Sequence, residues 1–361
     1  MPCRTAGRRR RSVKGRRGFG DLVAGSTGLA LTLLLSFGLV VLLICLLSRA
    51  PLKTIYYFFV GPFTNRYYLG NLLNSAVPLV FTGLGIALAF RSSVFNLGGE
   101  GQVYAGGLAA TAVCLAFPQG SGYPVGVLAV AAGSFVSAAV AGLSGFFRMK
   151  WNADEMISSF LLSAAAIMVV NYFITGPLDD PNNNLLQSYA IGGQYALIKI
   201  FPPSRLNVSV AFALLAAVLA HFFLFRSHIG YEMRMCGLNR EFSRYGGIDV
   251  SRYLVLPMAL SGALHGLAGG LAVLGTYGAL IKGFSVGMGW NGIAVALIAK
   301  NNPLGVLPAA GLFAYLDAGA KAAMLHSDVT FEIAVIAQSF ILYFVTAQAL
   351  FGLLRVRRGK A

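Results

Sequence analysis

Apolar residues run along the chain in long blocks, broken by short polar or charged stretches. The blocks fall at 27–48, 72–90, 100–117, 124–147, 155–175, 207–225, 253–276, 285–300, 304–324 and 331–354. A helix needs about 20 apolar residues to cross the hydrocarbon layer of a bilayer. The pattern therefore predicts about ten transmembrane helices. A membrane β-barrel would show short alternating segments instead. Glycines interrupt the pattern between 253 and 300, which predicts broken or re-entrant helices there. Two of the breaks are long. The first, 176–206, carries Asp179, Asp180, Pro181 and the Asn182–Asn184 run, which is turn chemistry. The second, 226–252, is polar and patterned. A single transmembrane domain, 27–354, is expected between a basic segment, 1–26, and a basic tail, 355–361.

Composition narrows the class. Hydrophobic residues make up 57% of the 361 and charged residues 11%, against about 25% charged in an ordinary soluble domain. Mean hydropathy is +0.72. A soluble chain of this length covers its core with charge, and here there is too little charge to do so. Soluble enzymes, disordered proteins and disulfide scaffolds are excluded on that ground. The fold class expected is an all-α polytopic membrane protein.

The net charge is +16, and its placement sets the orientation. Of the 28 lysines and arginines, eight lie in the first 17 positions and 21 fall on one side of the ten-span arrangement. The positive-inside rule then puts both termini in the cytoplasm. The expected location is the bacterial cytoplasmic (inner) membrane, with the basic ends against anionic headgroups and no nucleic-acid partner. The block at 27–48 is too long for the apolar part of a signal peptide and reads as a retained first span. Four cysteines are scattered without metal-ligand spacing, so neither disulfide nor metal site is expected. No phosphate-binding GxxxxGK[ST] loop occurs, and no cofactor is implied.

Several polar stretches carry candidate chemistry. In Phe95-Asn96-Leu97-Gly98-Gly99-Glu100-Gly101-Gln102, Asn96 can cap a helix and Glu100 falls in its first turn. The segment is either a broken helix lining a polar pathway or a capped helix start with a solvated Glu100. In Trp151-Asn152-Ala153-Asp154-Glu155, Asn152 or Asp154 caps the next span. From Asn239 to Tyr245, Asn239 is a good N-cap and Gly246 a good C′ residue around a helix of about six residues. Arg240 and Arg244 share one face, with Glu241 between them in sequence. Phe242 and Tyr245 share another. Such a helix either docks in a partner's groove or is a plain surface loop. Trp290 and Asn291 open the 290–298 stretch, where Trp290 is an interfacial anchor or a stacking residue. Asp317 and Lys321, spaced i, i+4, read as an ion pair. The histidines are isolated.

Together these stretches resemble one family. FNLGGEGQ is similar to the F-N-[IL]-G-x-E-G-Q signature of permeases of ATP-binding-cassette importers for nucleosides and simple sugars. NADEMISS, MRMCGLNREFSRYGGIDVSRY with SGALHGLAGG, and GWNGIAVALIAKNNPLGVLPAAGLFAYLDAG resemble the same family's later segments. The resemblance runs from about 90 to 320. Gly99 and Cys236 stand where alanine is more usual. The resemblance implies an importer built from two permease chains (a homo- or heterodimer), two ATPase subunits and an external substrate-binding protein. It makes Asn239, Arg240, Glu241, Phe242, Arg244 and Tyr245 the ATPase-coupling helix. The glutamate-containing motif looks most like the nucleoside branch, and a purine nucleoside is the substrate implied. The alternative within the same class is a simple sugar or a flavin such as riboflavin.

On this basis Asn96, Glu100, Gln102, Trp290 and Asn291 are candidates to line the pathway, through amide hydrogen bonds and stacking. The chain itself is expected to be no enzyme, with ATP hydrolysis in the separate subunit. A membrane-embedded enzyme needs convergent catalytic groups that the spans lack. An ion-coupled transporter expects inverted repeats and intramembrane ionisable residues, and neither is evident.

Overall fold

The apolar blocks become helices in the structure, a computed structural model that describes residues 34–343 except 121, 334 and 342. The basic segment 1–26 and the tail 355–361 lie outside the described residues. In chain order the helices are α1 (Leu34–Leu47), α2 (Pro51–Phe59), α3 (Arg66–Arg91), α4 (Gly99–Ala116), α5 (Gly122–Trp151), α6 (Glu155–Thr175), α7 (Ser209–Arg226), α8 (His228–Leu238), α9 (Arg240–Tyr245), α10 (Arg252–Ala272), α11 (Met288–Ile298) and α12 (Pro303–His326). A wider π-type turn, Val273–Tyr277, continues α10. No strand longer than an isolated bridge occurs among the described residues.

Among the described residues six helices are long and apolar enough to cross a membrane: α3, α5, α6, α7, α10 with its extension, and α12. α11 has 11 residues, a rise of about 16 Å at 1.5 Å per residue, roughly half the hydrocarbon thickness. The stretch expected at 285–300 is shorter because both ends turn out of helical angles. Val286 and Gly287 precede it at φ 47° and 77°, and Lys300 and Asn301 follow it at 51° and 54°. Two helices were not expected. α2 begins with Pro51 at its first position, where the missing N–H costs nothing. α8 is capped by Ser227, which accepts from the Gly230 amide at 3.0 Å.

Burial sorts the helices. The most apolar stretch of α3 is 83% buried, whereas those of α5, α6 and α7 are 22% buried and turn large side chains such as Phe135, Leu161 and Phe222 outward. α10 packs between α3, α4 and α5. The contact is close because glycines meet there. A Cβ at Gly106 of α4 would lie 2.5 Å from the Cα of Gly266 of α10, and one at Gly133 of α5 would lie 2.6 Å from the Gly106 carbonyl oxygen. Small residues permit this backbone approach, which dispersion then stabilises.

The long loop 176–206 covers one end of the bundle. It pairs with the turn after α10 through Ser188 N to Leu280 O at 2.9 Å, Lys282 N to Leu186 O at 2.9 Å and Ile191 N to Gly278 O at 2.8 Å. α8 and α9 lie at the opposite end, beside the turn that joins α3 to α4.

Candidate functional site

The α3–α4 turn folds around its own amide side chains. Asn96 Nδ2 donates to Gln102 Oε1 at 2.8 Å, and Gln102 Nε2 donates back to Asn96 Oδ1 at 2.9 Å. Asn96 Nδ2 also reaches Ser261 Oγ on α10 at 2.9 Å, while its Oδ1 accepts from Gly98 N at 2.9 Å. Asn96 is therefore not the N-cap of α4. That position is Gly98. Serines of α6 satisfy two further backbone donors, Ser159 Oγ accepting from Leu97 N at 3.1 Å and Ser163 Oγ from Gly101 N at 2.8 Å. Both amide side chains are fully enclosed, and each is nearly saturated inside the protein.

Glu100 is also buried, at 8% exposure, so it is not solvated. Its carboxylate accepts from Gly289 N at 2.8 Å and from the Ser285 hydroxyl. No lysine or arginine lies within 4.0 Å of it among the described residues. The compensation comes from two helix N-termini. Glu100 sits in the first turn of α4 and takes the amide of the second residue of α11. The partial positive charge at each terminus favours a carboxylate, and charge-assisted bonds of this kind are short and strong. A Cβ at Gly289 would fall 2.2 Å from Glu100 N, so only glycine lets α11 approach this closely.

His265 of α10 closes the cluster. It is fully buried, and its Nδ1 donates to the Ser261 carbonyl at 2.7 Å. Its Nε2 has no hydrogen-bond partner among the described residues and lies against Gly99, where a Cβ would meet it at 2.5 Å. Glycine at 99, without a Cβ, makes room for this ring.

Beyond Ser285 opens a cavity of about 330 Å³ between α3, α7, the end of α10, α11 and α12. Its polar lining includes Asn74, Ser209, Thr276, Ser285, Asn291, Asp317 and Lys321. Asn74 bridges elements there, donating to Thr276 Oγ1 at 3.0 Å and accepting from Asn207 Nδ2 at 3.2 Å. Of the five pathway candidates, Asn291 lines this cavity. Asn96, Glu100 and Gln102 form the polar frame behind it. Trp290 is outside it and exposed, with its ring 6.0 Å from that of Phe160. The expected Asp317–Lys321 ion pair does not form. Asp317 accepts from Gln338 Nε2 at 2.6 Å, and the Lys321 ammonium lies 5.6 Å from the Phe331 centroid.

At the other end, α9 is the six-residue helix expected, with Asn239 accepting from Phe242 N at 3.0 Å. It ends one residue differently. Gly246 is the C-cap at ordinary φ, and Gly247 takes the left-handed angle, φ 80°. Phe242 is 62% exposed and Tyr245 90% exposed, and Glu241 and Arg244 are exposed beside them. Arg240 instead points back and donates to the Ser93 carbonyl at 2.9 Å. Ser93 in turn donates to the Gly237 carbonyl at 2.6 Å. Cys236 is buried under this turn, and burial raises its thiol pKa. Between α5 and α6, Asp154 is the cap, accepting from Met156 N at 2.8 Å, while Asn152 takes φ 52° and Glu155 pairs with Arg148.

The residues that sequence reasoning missed are Ser159, Ser163, Ser261, His265 and Ser285. Ser159 lies in the NADEMISS segment and Ser261 and His265 in SGALHGLAGG, but nothing in either segment, or around Ser163 and Ser285, says that these side chains meet the α3–α4 turn.

Residues 68–350 match the family described as the branched-chain amino acid transport system / permease component. The chain belongs to this permease family. The permease is 33% identical over 330 residues to the probable riboflavin import permease protein RfuC of Treponema pallidum (strain Nichols), covering 91% of this chain and 87% of that one. It is 35% identical over 295 residues to the guanosine ABC transporter permease protein NupP of Bacillus subtilis (strain 168), covering 80% and 83%. It is 27% identical over 299 residues to the nucleoside ABC transporter permease protein NupB of Lactococcus lactis subsp. cremoris (strain MG1363), covering 80% and 82%. With its apolar helices, the permease is a multi-pass protein of the cytoplasmic membrane.

Proposed function

We propose that this permease forms the translocation pathway of an ATP-driven importer for nucleosides, purine nucleosides first among them. The relatives named for guanosine and for nucleosides carry this reading. The cavity supports it, because amides, hydroxyls and one group of each charge, Asp317 and Lys321, suit a polar solute that carries no net charge. A second reading, import of a flavin, rests on the relative named for riboflavin.

In this assembly two permease chains, identical or not, pair in the membrane. An external binding protein delivers the solute, and two separate ATPase subunits hydrolyse ATP. Ten membrane-embedded segments, the short α11 a broken one among them, with both termini cytoplasmic fit the ten apolar blocks and the charge asymmetry. In that orientation α9 faces the cytoplasm, where exposed Phe242 and Tyr245 enter a groove of the ATPase with Asn239, Glu241 and Arg244 around them. Arg240 ties the helix to the α3–α4 turn. Asn291 touches the solute, Asn96, Glu100 and Gln102 hold the pathway's frame, and Trp290 borders it. Competition uptake with labelled guanosine, unlabelled nucleosides, ribose and riboflavin tests the substrate. Nucleosides compete under this proposal, and competition by riboflavin or ribose alone shifts it to another solute of the same importer class.

A further inference from the structure

Several polar groups around the 330 Å³ cavity keep hydrogen-bonding capacity that no described residue uses. Ser209 is buried at 3% exposure, yet its hydroxyl makes no hydrogen bond among the described residues. The half-buried Asn291 side chain likewise makes no hydrogen bond among the described residues. Lys321 makes no hydrogen bond or ion pair among the described residues and lies over Phe331 at 5.6 Å. Asp317 receives Gln338 on one oxygen and leaves the other without a hydrogen-bond donor among the described residues. Of these Ser209 is buried, Asn291 and Asp317 are half-buried and Lys321 is exposed, and polar groups with spare hydrogen-bonding capacity that converge on one cavity offer a ligand its orienting contacts.

We propose that this cavity is a binding station for 6-oxopurine nucleosides, in which Lys321 and Asp317 read the edge of the base. This rests on the nucleoside-importer reading above. Asp317 and Lys321 are one turn apart on the same side of α12, and they present an acceptor beside a donor without neutralising each other by contact. A 6-oxopurine offers the complementary edge, with O6 and N7 as acceptors and N1–H as the adjacent donor. Adenine reverses this order, with a 6-amino donor beside the N1 acceptor. Lysine to O6 and N7 is a standard pairing for guanine, and a well-made pair discriminates against the wrong base. Phe331 and Met324 give the base an apolar surface. Asn291 and Ser209 supply hydrogen bonds to the remaining polar groups. Ser285 forms the wall next to Asn291, and Glu100 holds it in place. Glu100 is thus a positioning residue. The volume sits at the small end of ligand cavities, which run to roughly 300–1,000 Å³, and it suits a nucleoside better than a flavin.

The test measures guanosine, inosine and adenosine binding to the assembled permease–ATPase complex without the binding protein, so that any selectivity belongs to the permease. Guanosine and inosine should bind wild type more tightly than adenosine. Lys321→Met should weaken both by about tenfold and change adenosine by less than about twofold, whereas Lys321→Arg, which keeps a donor, should retain most of the preference. Asn291→Ala should weaken all three. Equal binding of the three nucleosides to wild type, no guanosine binding at all, or Lys321→Met and Asn291→Ala that bind guanosine like wild type overturns the assignment. Uptake by the complete importer is scored in parallel. If that importer carries guanosine, such a result removes only the cavity assignment. If it carries no nucleoside, the importer reading fails instead.

Discussion

The Glu100 carboxylate accepts a 2.8 Å hydrogen bond from the backbone amide of Gly289, which joins the N-termini of two helices far apart in sequence. One buried acid thereby serves α4 and α11 together, and its second oxygen fixes Ser285 on the cavity wall.

Removing that acid leaves a buried amide and a buried hydroxyl without their acceptor. Each such group costs about 1–3 kcal/mol. Glu100→Ala should therefore lower the thermal midpoint of the purified permease clearly, by roughly 2–4 kcal/mol in stability terms. Glu100→Gln keeps one acceptor but loses the charge that both helix termini favour, and it should cost less. Thermal unfolding in detergent ranks the three proteins. Equal midpoints for Glu100→Ala and wild type would show that the carboxylate does not hold these helices.

The architecture was legible where hydropathy carries it. The blocks around α3, α5, α6, α7, α10 and α12 are helices within a few residues of expectation, because long apolar runs in a membrane have little alternative to helix. α11 was read too long because left-handed turns at Val286 and at Lys300-Asn301 leave no hydropathy signal. α2 and α8 had start signals in Pro51 and Ser227, but both lie in stretches read as loops. The polar cluster was half legible. Asn96, Glu100 and Gln102 stand out in a dense motif, whereas Ser261, His265 and Ser285 are brought to it only by helix packing. Nothing local distinguishes them from a lone serine or histidine in any apolar helix. The Asp317–Lys321 spacing suggested a pair on propensity, and Gln338 and Phe331 took the two partners instead.

Steric room at the same junction gives a second prediction. A Cβ at Gly289 would lie 2.2 Å from Glu100 N and 2.4 Å from Gly99 C. Gly289→Ala must push α11 away from α4, at a cost of about 1–3 kcal/mol, and should abolish most uptake. Gly311→Ala is the control, since nothing lies within 4 Å of its Cβ position. Uptake and membrane abundance measured for both variants decide the matter, and a fully active Gly289→Ala counts against the close junction.

The exposed aromatics of α9 give a third. Tyr245, 90% exposed, buries little against the described residues, so Tyr245→Ala should leave the thermal midpoint unchanged. Combined with Phe242→Ala it should release the ATPase subunit, because aromatic anchors in such contacts are worth about 2 kcal/mol or more. Co-purification reads this directly. Retention of the ATPase at wild-type levels by the double variant would leave α9 as a connector only.

Cys236 gives a prediction in pH. Burial raises its thiol above the ordinary value, so the folded protein holds the proton longer than the unfolded chain does. Stability linked to this group is intact below the ordinary thiol range, about 8.5, and is lost as pH rises through the folded value. Maleimide should accordingly label Cys236 slowly in the folded permease at pH 7.5 and fast in denaturant. Equal rates in the two states would contradict the buried placement.

The most direct measurement is transport by the reconstituted assembly. Proteoliposomes holding the permease, its ATPase subunits and the binding protein are supplied with labelled guanosine, with and without ATP. The account predicts ATP-dependent accumulation that needs every subunit and is lost when the permease alone is omitted. Accumulation without ATP, ATP hydrolysis by the purified permease alone, or no guanosine accumulation while riboflavin or a sugar is carried would contradict it.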